Sequence, residues 1–335
     1  MPIHAREGDF IQTLEGLIFD VKGLVHPQKN VIAFLRYIPD PTGKRSLNGV
    51  RYRKIYSLKK RFDFLKSNFP HYLYTDSVIN DLIQAVPHDK IKNIYYPHDY
   101  IDKLFQKKKS PLEKIILKFI KYIIKYCKIL MIDLGITGSH MVGLNTPQSD
   151  IDLIVYGEKN CYKLYNNIHR LFDDESISVQ RYDLEDLKRL YDFRGKDTKI
   201  DFENFVQFEK KKKLQGKFKH IDFYIRCIKA WDEIKEEYGY FTYKPIGNAL
   251  IQGFIINDKG SIFTPCCYKI DDVKFLQGTK VDNLREIFSY RGRCCEAKKE
   301  EPILARGKIE LVKGKNGEQY HRLIVGGEKG DFLCS

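Results

Sequence analysis

Residues Leu134 to Tyr156 read LGITGSHMVGLNTPQSDIDLIVY. Leu134 and Ile136 are an apolar lead-in to the small-residue turn Gly138-Ser139, ten residues follow, and Asp150-Ile151-Asp152 then opens a second apolar run. This pattern predicts two strands joined through a tight corner. Side chains alternate across a strand, so Asp150 and Asp152 share one face while Ile151, Leu153 and Val155 share the other. Two carboxylates so placed repel each other unless a cation lies between them, and oxygen-only ligation suits Mg2+ or Mn2+. Metal-dependent phosphate chemistry is the expectation.

The chain on either side supports a packed domain. In front, Ser110, Pro111 and Glu113 have the spacing of a capping box. Leu112, Ile115, Ile116, Phe119, Ile120, Ile123, Ile124 and Cys127 then recur at helical spacing opposite Lys114, Lys118, Lys121 and Lys125. Such a helix lies against a sheet, with its lysine face either solvated or on a phosphate backbone. Behind, Asn160 reads as the cap of a helix carrying Cys161, Leu164, Tyr165, Ile168, Leu171 and Phe172, and Asp183 with Asp186 opens another. Residues 201–214 read as helical and end in the basic run Lys210, Lys211, Lys212 and Lys213, with Lys217 close behind. Ile221, Phe223, Ile225 and Cys227 then alternate with Asp222, Tyr224 and Arg226, which puts Asp222 on the polar face of a further strand.

These residues suit a nucleoside triphosphate. A glycine followed by a serine at a strand corner offers free backbone amides, a hydroxyl and no obstructing Cβ to the phosphates. Asp150 and Asp152 can hold one or two metal ions, and a third carboxylate is needed if a second ion is to lower the pKa of an attacking hydroxyl. Asp222 fits that place. Asp201 competes for it but also reads as a helix N-cap. The reaction expected is in-line attack on the α-phosphate with pyrophosphate leaving. Lys199 and Arg226 are candidate phosphate partners.

Gly138-Ser139, Gly143 and Asp150-Ile151-Asp152 together resemble the signature of the DNA polymerase β-type nucleotidyltransferase superfamily, over about Leu112 to Arg226. That superfamily includes small stand-alone nucleotidyltransferases, CCA-adding enzymes, poly(A) polymerases and aminoglycoside-modifying enzymes. The wider wording resembles an uncharacterised archaeal family of predicted nucleotidyltransferases: ARE-GDFI and GLIFDVKGLVHP near the start, QGKF before the third carboxylate, then FTPCCY and YRGR. The resemblance implies that Ser139 contacts the triphosphate and that Asp150, Asp152 and Asp222 bind metal. Where many small members carry an arginine after the serine, this chain has His140, which can hydrogen-bond a phosphate with less fixed charge.

Around this centre the sequence predicts an α+β chain in three parts. Residues 1–109 comprise a small β element, a basic amphipathic helix at 57–65, and aromatic-rich loops with Tyr72, Tyr74, Tyr95, Tyr96 and Tyr100, which either pack or stack bases. Residues 110–238 are the polymerase β-like catalytic domain, a mixed sheet with packed helices. Residues 239–335 are β-rich, with strands expected at 251–256, 261–264, 287–290, 303–311 and 320–325 and turns at 257–260 and 315–317.

The 335 residues carry 58 Lys and Arg against 44 Asp and Glu, a net charge of +14, which favours polyanionic partners or reflects a solvated lysine-rich surface. RNA is therefore the favoured acceptor, ATP the expected nucleotide, and Lys210 to Lys213 with Lys217 the expected nucleic-acid contact. A binding protein of the same fold without turnover and a protein adenylyltransferase are the alternatives. Eight cysteines without a CxxC or zinc spacing fit reduced thiols in the cytoplasm, and the adjacent pairs Cys266-Cys267 and Cys294-Cys295 read as buried. No signal peptide or membrane anchor is expected, and P-loop, GxGxxG, HExxH and GxSxG motifs are absent.

Overall fold

The apolar lead-in and the carboxylate run both form strands. In the computed structural model, which describes residues 3–106, 109–194, 200–327 and 329–335, Leu134–Ile136 pairs antiparallel with Ile151–Tyr156. On its other side Ile151–Tyr156 pairs in parallel with Ile221–Ile228, Ile151 beside Phe223 and Asp152 beside Tyr224. Asp152 is the only residue of the central strand that is not buried. Lys199 lies outside the described residues.

One face of these strands is covered by the helix Pro111–Cys127, whose Phe119 ring centroid sits 4.8 Å from that of Phe223. Its capping box forms, the Ser110 hydroxyl accepting from the Glu113 amide at 3.2 Å and the Glu113 carboxylate from the Ser110 amide at 2.8 Å. The next helix, Glu158–Asn167, differs from expectation at its start: Asn160 lies inside it and donates to the Tyr156 carbonyl at 3.0 Å. Both carboxylate oxygens of Glu233 instead accept from the Glu158 amide at 2.9 Å. A cap supplied from 75 residues away leaves no local pattern to read.

The opposite face is covered by the N-terminal segment. Gly8 lies against Ile154, the Thr137 hydroxyl donates to the Gly8 carbonyl, and the Arg6 guanidinium sits 4.0 Å over Tyr156 and 4.5 Å over Trp231. This segment leads into an eight-stranded sheet. Its main path runs Arg45–Leu47, Val50–Lys54, Asn30–Pro39, Ile18–Val21, Phe10–Thr13, Ile91–Tyr95. Leu73–Asp76 and Asp81–Pro87 form a hairpin attached to Asn30–Pro39. The expected basic helix forms as Leu58–Asn68, with Ser57 as its cap. The aromatic stretch expected as loops is instead largely regular structure: Tyr74 and Tyr95 lie in strands, and Tyr100 is buried on the helix Pro97–Gln106. Tyr72 is fully buried in the core that Leu17, Phe19, Leu35 and Leu65 share. Tyr72 and Tyr100 thus pack, while Tyr74, Tyr95 and Tyr96 are half-buried.

The chain divides into two compact units. The first comprises Met1–Asp76, Asp81–Asn167 and Phe218–Tyr238, and the second Ser77–Asn80, Ile168–Lys217 and Gly239–Ser335. The expected boundary at residue 109 thus falls inside the first unit, and the helices after Asn167 group with the C-terminal strands. In the second unit, strands pair in the order Phe241–Gly260, Cys266–Gly278, Leu284–Ser289, Gln319–Ile324, Pro302–Gly314, Phe332–Cys334. The first also pairs with Pro302–Gly314, so five strands close into a ring, which removes their free edges. Phe241–Gly260 begins ten residues before the strand expected at 251 and runs through the expected turn at 257–260, with register shifts there. Cys266–Gly278 escaped sequence reading because much of it is exposed and polar. Cys266, Cys294 and Cys295 are buried in this unit's core, and no disulfide forms.

Candidate active site

The corner between the two strands explains its glycine. Gly138 has φ +70°, and a Cβ there would overlap the Asp152 carboxylate, so any other residue meets both backbone strain and a clash. The Thr137 amide donates to the Asp152 carbonyl at 2.9 Å, and the short helical turn Gly138–Met141 follows. The Gly-Ser backbone therefore lies directly against the carboxylate strand. Gly143, φ +69°, lets the loop turn back beneath Leu47 of the N-terminal sheet. Ser139 is nearly buried, and its carbonyl accepts from the Leu144 amide at 2.9 Å. His140 is buried beside the backbone of Ser149 and Asp150 rather than at the surface, and burial lowers its pKa.

Asp150 is exposed at the mouth of the strand, and Asp152 one pleat further in is half-buried. Burial is the main force raising the Asp152 carboxyl to about 6, Asp150 adds to it by repulsion, and Arg226, Lys54 and Arg36 act the other way. Extending the parallel register by one residue sets Asp222, half-buried, beside Asp150. Asp201 has the other of its two readings: it caps the helix Phe202–Lys210, accepting from the Asn204 amide at 2.9 Å. The donor set at the mouth is all carboxylate oxygen, which matches hard divalent cations. Among the described residues, no three His, Cys, Asp or Glu side chains, Asp150, Asp152 and Asp222 included, are grouped closely enough to hold an ion.

Arg226, on the same face as Asp152, points into a buried polar network. Its Nη1 donates to Glu7 Oε1 at 2.6 Å, Lys22 Nζ reaches the same oxygen at 2.8 Å, and Lys22 also meets Asp20 at 3.0 Å. Glu7 is fully buried and accepts from the Gly23 amide at 3.0 Å as well. The ARE-GDF and GLIFDVKG wording thus encodes a brace against the carboxylate strands. Sequence reading missed a second group altogether: Arg36, Arg45 and Lys54 of the N-terminal sheet. Lys54 is held down to about 8 by burial and by Arg36 and Arg45, while Asp152 and Asp150 pull it upward. No local signal in the sequence points to it, since long-range pairing has no periodicity.

The basic run belongs to the second unit and is largely paired within it. Lys212, expected at the surface, is buried, with Nζ 2.6 Å from Glu209 and 2.6 Å from the Arg293 carbonyl. A cation so enclosed by a carboxylate and a carbonyl is structural. Lys211 pairs with Glu301 at 3.1 Å, Lys217 pairs with Asp186, Lys213 is half-buried, and Lys210 is exposed.

Residues 113–226 match the family model for a nucleotidyltransferase domain. The chain thus carries a nucleotidyltransferase domain, and over its length it belongs to the family of an uncharacterised protein from Methanocaldococcus jannaschii. The two are 32% identical over 338 positions, which span 97% of this chain and 96% of that one. No solved structure matches. No helix among the described residues is long and apolar enough to cross a membrane.

Proposed function

We propose that this protein is a metal-dependent nucleotidyltransferase that moves a nucleoside monophosphate from an NTP, with ATP as the expected donor, to an acceptor hydroxyl. The observation that carries this reading is the contact of the Gly138 backbone with Asp152, beside Asp150, which joins the Gly-Ser turn to two mutually repelling carboxylates. Asp150, Asp152 and Asp222 are the groups that would hold Mg2+ or Mn2+, completed by phosphate oxygens and water as Mg2+ commonly is. When bound, the ion supplies charge neutralisation at the phosphates and a more acidic acceptor hydroxyl. The chain itself orients the nucleotide: Gly138 and Ser139 present backbone and hydroxyl to the phosphates, and the Glu7 brace keeps Arg226 fixed behind Asp152.

RNA is proposed as the acceptor on the strength of the net charge of +14. The internal pairing of Lys211, Lys212 and Lys217 favours a second reading, transfer to a protein hydroxyl. A cytoplasmic location is part of the proposal and rests on the eight thiols. Incubation with α-labelled NTPs, Mg2+ or Mn2+, total RNA and cell lysate separates the readings. Label on RNA that weakens for Lys210→Gln supports RNA, label on protein alone replaces it, and label in neither contradicts transfer.

A further inference from the structure

Two cations of the N-terminal sheet, Arg36 and Lys54, face the carboxylate site, and a third, Arg45, stands over the neighbouring loop at Leu144. Arg36 and Lys54 both lie within electrostatic reach of Asp152, and Arg45 with Arg36 repels Lys54. Among the described residues none of the three forms an ion pair with a carboxylate, in contrast to Lys22 and Arg226 in the neighbouring brace. Gathering like charges costs free energy that a polyanion between them recovers.

Their placement is built by the fold. Tyr37 pairs with Ile18 and Leu35 with Phe19, which leaves Arg36 as an extra residue, a β-bulge that re-aims its side chain. Lys54 pairs with Tyr37 on the adjoining strand. Two tyrosine rings support the cations: Lys54 Nζ is 5.9 Å from the Tyr37 centroid and 5.1 Å from that of Tyr56, Arg36 is 5.6 Å from Tyr56, and Arg45 is 5.8 Å from Tyr37. Arg45 Nη1 also donates to the Leu144 carbonyl, which fixes it over the loop that follows Gly138–Met141. Planar guanidinium forks and a mobile ammonium are the groups proteins use to grip phosphate.

We propose that Arg36, Arg45 and Lys54 form a phosphate-binding wall that takes the triphosphate of the incoming nucleotide beside Asp150 and Asp152. The assignment to a nucleotide rests on nucleotidyl transfer as proposed above, whereas the wall itself is tested with inorganic tripolyphosphate. Calorimetric titration of the full chain should show binding that weakens about 10-fold or more in Arg36→Gln and in Lys54→Gln and is largely retained in Arg36→Lys and Lys54→Arg, with thermal midpoints unchanged. ATP should compete with tripolyphosphate, and AMP affinity should hardly change between variants. Unchanged tripolyphosphate affinity in both Gln variants would overturn the wall while leaving transfer untouched. Binding without competition by ATP would overturn the nucleotide assignment and give the wall to a phosphorylated acceptor. Tripolyphosphate binding that depends on these residues, with no label transfer from any NTP, would sink the transferase reading and leave the wall.

Discussion

Arg226 Nη1 and Glu7 Oε1 lie 2.6 Å apart although 219 residues separate them in the chain. This contact ties the first strand region to the strand beside the carboxylates, and Lys22 shares the same oxygen at 2.8 Å. Removing a buried partner leaves its counter-charges uncompensated, which typically costs about 3–5 kcal/mol. Glu7→Ala should therefore lower the unfolding free energy by that order, measured by urea denaturation. A variant within about 1 kcal/mol of wild type would show that the brace is incidental.

Gly138 and Gly49 provide a matched pair. Both have positive φ, +70° and +81°, but a Cβ at Gly49 meets nothing within 4 Å while one at Gly138 meets Asp152. Alanine at either position incurs backbone strain of about 1–3 kcal/mol. Only Gly138→Ala should also displace the carboxylate, so its loss of nucleotide affinity should exceed that of Gly49→Ala by about 10-fold or more at comparable stability. Equal affinity in the two variants would separate the turn from the site.

His26 is held neutral by its hydrogen bonds. Its Nε2 is 2.9 Å from the Ala5 carbonyl, which it can only donate to, and its Nδ1 accepts from the Ile32 amide at 3.2 Å, so a second ring proton has no acceptor. Burial lowers its pKa to about 4, and His88 acts in the same direction. Because the folded value lies below the unfolded one of about 6.5, the unfolded chain binds the extra proton first. Stability from this residue is complete above pH 6.5 and is lost as pH falls from 6.5 towards 4, by on the order of 2–3 kcal/mol. The stability difference between wild type and His26→Gln should shrink across that window. A difference independent of pH would mean that the ring titrates alike in the folded and unfolded chains.

Much of the half that carries the carboxylates was legible because its signals are local. Alternation placed Asp152 and Asp222 on strands that do pair, with Asp150 directly before the first, and the Ser110, Pro111 and Glu113 spacing marked the helix that covers them. Asp201 carried two readings, and its cap geometry shows which one it has. What escaped was long-range: the Glu233 cap, the Glu7 brace, and the bulge that turns Arg36. Tertiary pairing leaves no period in the sequence. Lys212 was misplaced for a related reason, since a run of lysines reads as surface until Glu209 and the Arg293 carbonyl are seen around one of them.

The most direct measurement is label transfer from α-labelled ATP, with Mg2+ or Mn2+ and with total RNA and lysate as acceptors, by wild type, Asp150→Asn and Asp152→Asn. Both variants retain side-chain volume, and circular dichroism should show an intact fold. Transfer by wild type and a loss of more than about 100-fold in each variant is the expected result, beyond the 10–100-fold typical of losing an outer-shell partner. Equal transfer by the variants, or none by wild type with any NTP, would contradict nucleotidyl transfer at Asp150 and Asp152.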